Sequence, residues 1–205
     1  GLADELMKRT DVELHASTQL CVHSSDGVAF LADIGFRRVV LARELSEKEI
    51  ERITAKSPIE TEVFCHGAMC MAYSGQCYMS AIVGERSGNR GRCAQPCRLP
   101  YAVLDEKHRE YKKDAYVLSL KDMCGIKDLR GLADAGVYSL KIEGRMKQIP
   151  YAAGVVSYYR KYIDLFLSGQ ETQSSEEDYR AVRALGDRCG FTDGYYQRHS
   201  GCGKV

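Results

Sequence analysis

Apolar and polar positions alternate between two patterns along the chain from residue 13 onwards. Short runs of β-branched and apolar residues are followed by amphipathic stretches with helical spacing, which is typical of strand–helix units stacked around a parallel sheet. Five strands are predicted, at residues 12–18, 38–42, 61–66, 116–120 and 139–143. The pattern therefore predicts an α/β protein.

Helix signals fill the intervals between these strands. Ser46, with Glu49 three residues later, forms a capping box that predicts a helix over residues 47–56. Residues 151–167 carry tyrosine and aliphatic side chains at helical spacing, and we interpret this stripe as core packing rather than as a base-stacking surface. A polar linker begins at residue 170, and a capped helix is predicted over residues 174–185.

The number of strand–helix units sets the expected architecture. An eight-stranded barrel of such units takes about 250 residues, whereas this chain has 205. We therefore expect residues 1–169 to be the C-terminal part of a TIM-barrel-like (β/α) domain that is truncated at its N-terminus. Residues 170–205 would then comprise the linker, a short helix and the start of a following segment.

Charge and hydropathy narrow the classes of partner. Lysine and arginine number 29, aspartate and glutamate 28, and the formal net charge is +1. This balance excludes a protein that coats nucleic acid through its overall charge, so any such partner must be held by a local patch. No apolar run approaches the ~18 residues of a transmembrane helix. Because the first residues also lack the pattern of a secretory signal, we expect a soluble, cytoplasmic protein with no membrane partner.

Cysteine is the outlying residue type, with nine in the chain. An odd number without an export signal does not suit a disulfide framework and favours thiolates bound to metal. Cys70, Cys77, Cys93 and Cys97 lie within residues 67–100, a stretch rich in cysteine, glycine and arginine that interrupts the strand–helix pattern and that we call the insert. Such a long irregular connection is usually functional or disordered.

The spacing of these cysteines favours one kind of metal centre over another. A structural zinc site usually shows two close cysteine pairs, and only Cys93 with Cys97 has that spacing. An iron–sulfur cluster needs four thiolates and tolerates irregular spacing, and Cys124 lies beyond the fourth predicted strand as a further candidate. The sequence therefore favours an iron–sulfur cluster over zinc.

A group of arginines accompanies the cysteines in the insert. The group consists of Arg86, Arg90, Arg92 and Arg98, with Glu85 as the acidic residue nearby. Guanidinium groups bind phosphate or carboxylate through paired hydrogen bonds, so an RNA backbone or a small dicarboxylate would suit them. The alternative, which is about as well supported, is that they balance the charge of a thiolate cluster.

Polar side chains also recur at alternate positions of three predicted strands. These are Glu13, His15 and Ser17; Glu62 and His66 around Phe64; and Lys141, Glu143 and Arg145. Alternate residues share one face of a strand, and barrel active sites lie at the C-terminal ends of strands, where His66 and Arg145 fall. The alternative interpretation is a set of ion pairs, such as Glu143 with Lys141 or Arg145.

Hydrolytic machinery is not evident in the sequence. Neither a G-x-S-x-G elbow nor an H-E-x-x-H zinc helix occurs. Cys65 and His66 are neighbours on one strand and are expected to point to opposite faces, so they would not form a catalytic pair.

Residues 62–80, which read EVFCHGAMCMAYSGQCYMS, closely resemble the signature of the collagenase-like peptidase family, number thirty-two among peptidases of unknown catalytic type. Further similar segments follow in the order of the family: ELHASTQ at 13–19, VVLARELS at 39–46, NRGRCAQPCRLPY at 89–101, LSLKDMC at 118–124 and SLKIEGRMK at 139–147. Together they cover about residues 13–167.

The resemblance implies a barrel-like catalytic domain and an activity other than proteolysis. Members that the chain is similar to include RNA hydroxylases that carry a 4Fe–4S cluster and use prephenate to hydroxylate a pyrimidine, in tRNA wobble uridine or ribosomal cytidine. Related proteins act in oxygen-independent quinone hydroxylation. By position, the resemblance implies Cys70, Cys77, Cys93 and Cys124 as cluster ligands, with Cys97 as the substitute for Cys124.

We therefore predict a prephenate-dependent hydroxylase of tRNA wobble uridine, with tRNA or rRNA as its partner and a paralogous family member as a candidate heterodimer partner. Lys141 and Arg145 are assigned to a carboxylate of prephenate, and His66 or Glu143 to proton transfer. A collagenase-like peptidase and a non-catalytic partner that binds the cluster are the alternatives.

Overall fold

The computed structural model describes residues 1–144, 147–170, 174–188 and 190–197. Its α-helices are α1 (Leu2–Arg9), α2 (Ser25–Asp33), α3 (Glu47–Thr54), α4 (Met79–Gly84), α5 (Leu129–Asp134), α6 (Ile149–Leu167) and α7 (Glu176–Ala184). Its strands are β1 (His15–Ala16), β2 (Arg38–Val40), β3 (Glu60–Gly67), β4 (Tyr101–Leu104), β5 (Glu110–Ala115), β6 (Asp122–Cys124), β7 (Ser139–Ile142) and β8 (Phe191–Thr192). Short 3-10 turns occupy Thr18–Leu20, Gly88–Arg90 and Pro96–Arg98.

One mixed sheet organises the molecule around β3. Strands β1, β2 and β3 are parallel neighbours, and β7 joins β3 in parallel on its other side. Beyond β7, the end of β3 pairs antiparallel with β6, which in turn pairs with β8. The predicted α/β class is confirmed. Over the described residues the sheet closes no barrel, so the TIM-barrel architecture is not confirmed.

Helices cover the sheet because their apolar stripes match its buried strands. β3 is buried along nearly its whole length, as expected for a central strand with layers on both faces. The capping box of Ser46 and Glu49 opens α3 as predicted, and Ile50 of α3 packs into the core. Tyr159 of α6 is buried in a second core cluster, so the core interpretation of the tyrosine stripe is confirmed for that residue.

The fourth predicted strand, at residues 116–120, is wrong. Those residues form a turn, and the strand of the main sheet lies just after them at Asp122–Cys124. A separate hairpin of β4 and β5 occupies residues 101–115. The sequence does not predict β5, because five of its six residues are exposed and the strand has no alternation of apolar and polar residues. The predicted helix at 174–185 is present as α7, capped by Ser175.

A β-bulge changes the direction of side chains at the end of β3. The register against β7 shifts between Phe64 and His66, so the strict alternation assumed from the sequence fails there. Phe64 lies under the guanidinium of Arg43, whereas His66 packs against Tyr159 of α6. The bulge therefore separates two side chains that the sequence places on one face.

Membrane insertion finds no support in the helices. Within the described ranges, none of them combines the length and hydropathy that crossing a bilayer requires.

Candidate functional site

The insert gathers four thiols beyond the end of β3. The neighbouring thiols of Cys77 and Cys93 act electrostatically on Cys70, and all three act on Cys97. Burial raises the pKa of the Cys70 thiol, and Arg43, the next largest influence, lowers it. The structure thus brings together Cys70, Cys77, Cys93 and Cys97.

Cys124 lies apart from this group. It is buried in β6, directly across from His66 of β3, and burial raises its pKa. The thiol that it influences is the buried Cys65, which belongs to the same core cluster. Of the two candidates for a fourth ligand, the structure places Cys97, not Cys124, beside the other three cysteines.

The spacing of the four thiols bears on what they could hold. Across the described part of the chain, no three histidine, cysteine or acidic side chains are close enough to bind a single metal ion. A zinc ion would draw its sulfur ligands to about 2.3 Å from the metal. The thiols of the described residues therefore do not form a site for one metal ion.

Arg98 joins the insert to the turn that precedes β6. Its guanidinium donates to the carbonyl oxygens of Met69, at 2.6 Å, and Leu120, and to the Ser119 hydroxyl at 3.0 Å. Met69 lies near the start of the insert and Ser119 and Leu120 lie beyond its end, so one side chain fixes the loop that carries Cys97. The Cys93 sulfur is held from its own side by the backbone N–H of Gln95 at 3.3 Å.

The other arginines of the insert remain at the surface. Arg86, Arg90 and Arg92 are exposed, and Arg86 donates to the carbonyl of Arg92 at 3.2 Å. The structure therefore divides the predicted arginine group into three exposed cations and the half-buried Arg98, whose polar atoms are occupied by protein.

The predicted residues of β3 and β7 form cross-strand pairs. Lys141 donates to Glu62 at 2.9 Å, and Arg38 contributes a second contact to the same carboxylate at 3.4 Å. Glu143 pairs with Arg43 at 3.3 Å. Lys141 therefore pairs with Glu62 rather than with Glu143. Arg145 lies outside the described residues.

His66 is enclosed at the end of β3. Its ring is 1% exposed and lies 5.4 Å from the ring of Tyr159 and 6.0 Å from that of Tyr151. The Tyr159 hydroxyl donates to the Cys65 carbonyl at 2.8 Å, so its oxygen accepts from His66 Nδ1 at 3.2 Å. Burial, followed by the charge of Lys147, lowers the pKa of His66 to about 4. The imidazole is therefore neutral at pH 7, with Nε2 as an acceptor.

Gly67 makes the close approach of β7 to His66 possible. Its φ is 110°, and a Cβ at this position would lie 2.3 Å from the carbonyl oxygen of Glu143. The Glu143 N–H donates to the His66 carbonyl at 2.8 Å. A glycine is thus required directly after His66, where the insert begins.

Asp122 is a site residue that the sequence reasoning missed. Its side chain is fully buried in β6 and lies 3.7 Å from Lys147 Nζ and 3.9 Å from Arg188 Nη1. Burial raises the pKa of its carboxyl group, and Arg188 and Lys147 oppose that shift. The signal for Asp122 in the sequence is its place within the LSLKDMC segment, where the resemblance points to the neighbouring cysteine.

Comparison with known proteins agrees with the sequence signature. Residues 3–205 match the family described as Peptidase family U32, and the chain belongs to this family. The chain is 44% identical over 156 residues to the 23S rRNA 5-hydroxycytidine C2501 synthase of Escherichia coli, a match that covers 76% of this chain and 24% of that protein.

Two further relatives extend the comparison. The tRNA hydroxylation protein P1 of Bacillus subtilis is 43% identical, with 78% of this chain and 40% of that protein covered. A collagenase of Porphyromonas gingivalis is 36% identical, with 90% of this chain and 48% of that protein covered. The chain thus spans between a quarter and about half of the length of these relatives. No solved structure matches the chain.

Proposed function

We propose that the protein is an RNA hydroxylase whose iron–sulfur cluster is held by the insert. The observation that carries this proposal is the meeting of four thiols in one exposed loop, next to a buried group of polar side chains at the end of β3. Relatives named for rRNA and tRNA hydroxylation support the same chemistry.

The donor set fits such a cluster. Cys70, Cys77, Cys93 and Cys97 would hold it, and Arg43 and Arg98 would offset part of the negative charge of the thiolates. When bound, the cluster would supply one-electron transfer. The N–H of Gln95 would hydrogen-bond to the Cys93 sulfur, a contact of the kind that tunes the potential of a cluster.

The reaction defines what the other residues must do. Hydroxylation at C5 of a pyrimidine replaces a C–H bond by a C–OH bond, so the base gains an oxygen atom and loses two electrons. Prephenate, a hydroxylated dicarboxylate, is the proposed oxygen donor and two-electron acceptor: its ring C–O bond breaks, the oxygen becomes the hydroxyl of the base, and the ring carbon takes up the two electrons and a proton to form a C–H bond. The proton that leaves C5 needs an acceptor, and we assign it to the neutral His66 through Nε2.

Charged residues around the site suit the two substrates. Lys141 is 43% exposed beside its partner Glu62, so it keeps donors for a carboxylate of prephenate. Exposed arginines of the insert suit an RNA backbone, and the exposed rings of Tyr73 and Tyr78 offer stacking surfaces for bases. A single-stranded loop of tRNA or rRNA is therefore the proposed partner.

Metal analysis of the anaerobically purified full-length protein tests the proposal. We expect about four irons and four acid-labile sulfides per chain, lost in Cys70→Ala and in Cys77→Ala but retained in Cys21→Ala, which alters a cysteine outside the insert. Cys97→Ser and Cys124→Ser compared side by side identify the fourth ligand, and we expect only Cys97→Ser to lose iron. One zinc per chain, or no metal, would refute the cluster.

The activity has its own measurement. The full-length protein, supplied with prephenate, should restore the hydroxylated pyrimidine in RNA from a strain that lacks the gene. Failure with an intact cluster would reject hydroxylation while leaving the metal site in place.

A peptidase is the second candidate, favoured by the similarity to a protein named collagenase. Cleavage of gelatin that persists after iron is removed by chelation would support it. Cys65 is a poor candidate for the nucleophile of a peptidase, because burial raises the pKa of its thiol far above the usual range.

A further inference from the structure

Unsatisfied polar atoms accumulate at one place in the core. Among the described residues, five buried side-chain atoms lack a hydrogen-bond partner, and four of them are His66 Nε2, the two carboxylate oxygens of Asp122 and the Tyr151 hydroxyl. Buried polar atoms are nearly always paired in folded proteins. Such a concentration indicates a place built for a polar ligand.

Lys147 connects these atoms into one site. Its ammonium lies 3.7 Å from Asp122 and 4.8 Å from the centre of the Tyr151 ring, and its charge acts on His66. The ring of Phe191 lies 5.3 Å from that of His66. Aromatic rings thus adjoin the unpaired polar atoms, which is the composition of pockets that hold flat heterocycles.

The groups around Asp122 stand in a definite order. Lys147 approaches Oδ2 and Arg188 approaches Oδ1, so an acceptor is flanked by a donor on each side. Both separations, 3.7 and 3.9 Å, exceed the length of a direct hydrogen bond. The three groups therefore keep hydrogen-bonding capacity for a ligand.

Two of the three groups extend to the surface of the protein. The side chains of Lys147 and Arg188 are 19% and 26% exposed, whereas Asp122 is completely buried between them. Arg188 also donates to the Gln95 side chain of the insert at 3.3 Å, which places the site beside the proposed cluster ligands.

We infer that Asp122, Lys147 and Arg188 bind the Watson–Crick edge of a uracil base that is turned out of the RNA. Uracil presents an acceptor, a donor and an acceptor through O4, N3–H and O2, which complements the donor, acceptor and donor of the protein. Cytosine presents a donor and two acceptors, so its N3 would face the Asp122 carboxylate. Enzymes that modify bases read an extruded base by this edge.

This inference rests on the proposed function and names its substrate, uridine rather than cytidine. It is of interest because the relatives described above include both an rRNA 5-hydroxycytidine synthase and tRNA hydroxylation proteins. The assignment distinguishes between pyrimidines by residues of this chain.

The first experiment uses the unaltered full-length protein and three RNAs that differ in one base: uridine, 3-methyluridine or cytidine at the target position. Hydroxylation is measured by mass spectrometry, and competition for binding is measured in the same mixtures. We expect turnover and binding of uridine to exceed those of the other two by about tenfold or more, because each leaves the buried carboxylate without a donor.

The outcomes separate the two proposals. Equal binding of uridine and 3-methyluridine, or a preference for cytidine, overturns the inference whether or not hydroxylation occurs. If no RNA is hydroxylated while uridine is still bound selectively, the proposed function fails and the inference stands.

The second experiment changes the central acceptor. Asp122→Asn can donate to cytosine N3 through its amide, so we expect the ratio of uridine to cytidine binding to fall by about tenfold. Asp178→Asn removes a carboxylate of α7 that pairs with Lys161 of α6, and the ratio should be unchanged. A ratio that is equally unchanged in Asp122→Asn contradicts the inference, since loss of fold alone would lower both affinities.

Discussion

Two groups of charged side chains lie on the same sheet, and they differ in how completely they are paired. Glu62 accepts hydrogen bonds from Arg38, Lys141 and Ser139. Asp122, in the short strand β6, accepts none and lies beyond hydrogen-bond distance from Lys147 and Arg188. The carboxylate of Glu62 is therefore hydrogen-bonded within the protein, whereas that of Asp122 faces its two cations without a hydrogen bond.

The difference separates an ion network that is hydrogen-bonded within the protein from the group that we infer to bind a base. Burial works against the charge of both carboxylates. For Glu62, the hydrogen bond and charge of Lys141, with smaller contributions from Ser139 and Arg38, outweigh burial and lower the pKa. For Asp122, burial prevails over Arg188 and Lys147, and the pKa is raised. A buried group whose charge is poorly compensated is a candidate for function.

The largest expected effect concerns how stability depends on pH through His66. Like the Asp122 oxygens, His66 Nε2 is buried without a hydrogen-bond partner. Its pKa is about 4 in the folded chain, against 6.5 for an ordinary histidine. The unfolded chain therefore takes up a proton first as pH falls, and the free energy of unfolding should decrease between pH 6.5 and 4, by about 3 kcal/mol. Denaturant titrations across this range measure the loss.

His66→Asn should flatten that part of the pH profile, because it removes the titrating group. His108→Asn, at an exposed position of the hairpin, serves as the control and should leave the slope in place. A profile that is equally steep with and without His66 would show that the imidazole is not buried in its neutral form.

The next effect tests the group around Glu62, whose hydrogen bonds lie within the protein. Glu62→Gln leaves Lys141 and Arg38 without their shared charge, and we expect the free energy of unfolding to fall by about 2 kcal/mol, less than for a fully buried pair because Lys141 is 43% exposed. Asp134→Asn, which breaks an exposed pair with Arg130, should change it by less than about 0.5 kcal/mol. Equal effects of the two variants would contradict the comparison.

A smaller effect is expected at Tyr159, which supports His66 from α6. Tyr159→Phe removes the donor to the Cys65 carbonyl and the acceptor for His66 Nδ1. The free energy of unfolding should fall by about 1 kcal/mol, the usual contribution of a buried hydrogen bond. Tyr111→Phe on the exposed hairpin provides the matched change, and a loss as large as that of Tyr159→Phe would count against the buried bond.

The smallest effect is predicted for Asp122→Asn without RNA. The carboxylate has no hydrogen bond to lose, and its burial already disfavours the charge. The free energy of unfolding should therefore change by less than about 0.5 kcal/mol. A loss as large as that of Glu62→Gln would place Asp122 among the structural ion pairs and remove the contrast between the two groups.

Local signals in the sequence predicted much of the fold. The capping box at Ser46 and the apolar run of β3 depend on neighbouring residues, and both were placed correctly. The bulge after Phe64 depends on pairing with β7, which lies far along the chain, and alternation could not reveal it. Solubility is a prediction from composition, and the cytoplasmic location also stays a prediction.

The candidate cluster ligands stay predictions. Cys70, Cys77 and Cys93 follow from spacing and resemblance, whereas the position of Cys97 beside them, and of Cys124 across from His66, depends on the path of the insert. Asp122 is notable because of what surrounds it, namely Lys147, just before α6, and Arg188, between α7 and β8. A single aspartate in the sequence carries no such information.

The contacts that Arg98 makes bear on how the protein matures. The guanidinium joins Met69, near the start of the insert, to Leu120, beyond its end, through contacts within the protein. In a zinc finger, by contrast, the metal drives folding of the chain around it. If the proposed cluster is present, loss of Arg98 would loosen the loop that carries Cys97, and cluster loading would be the step most sensitive to that loss.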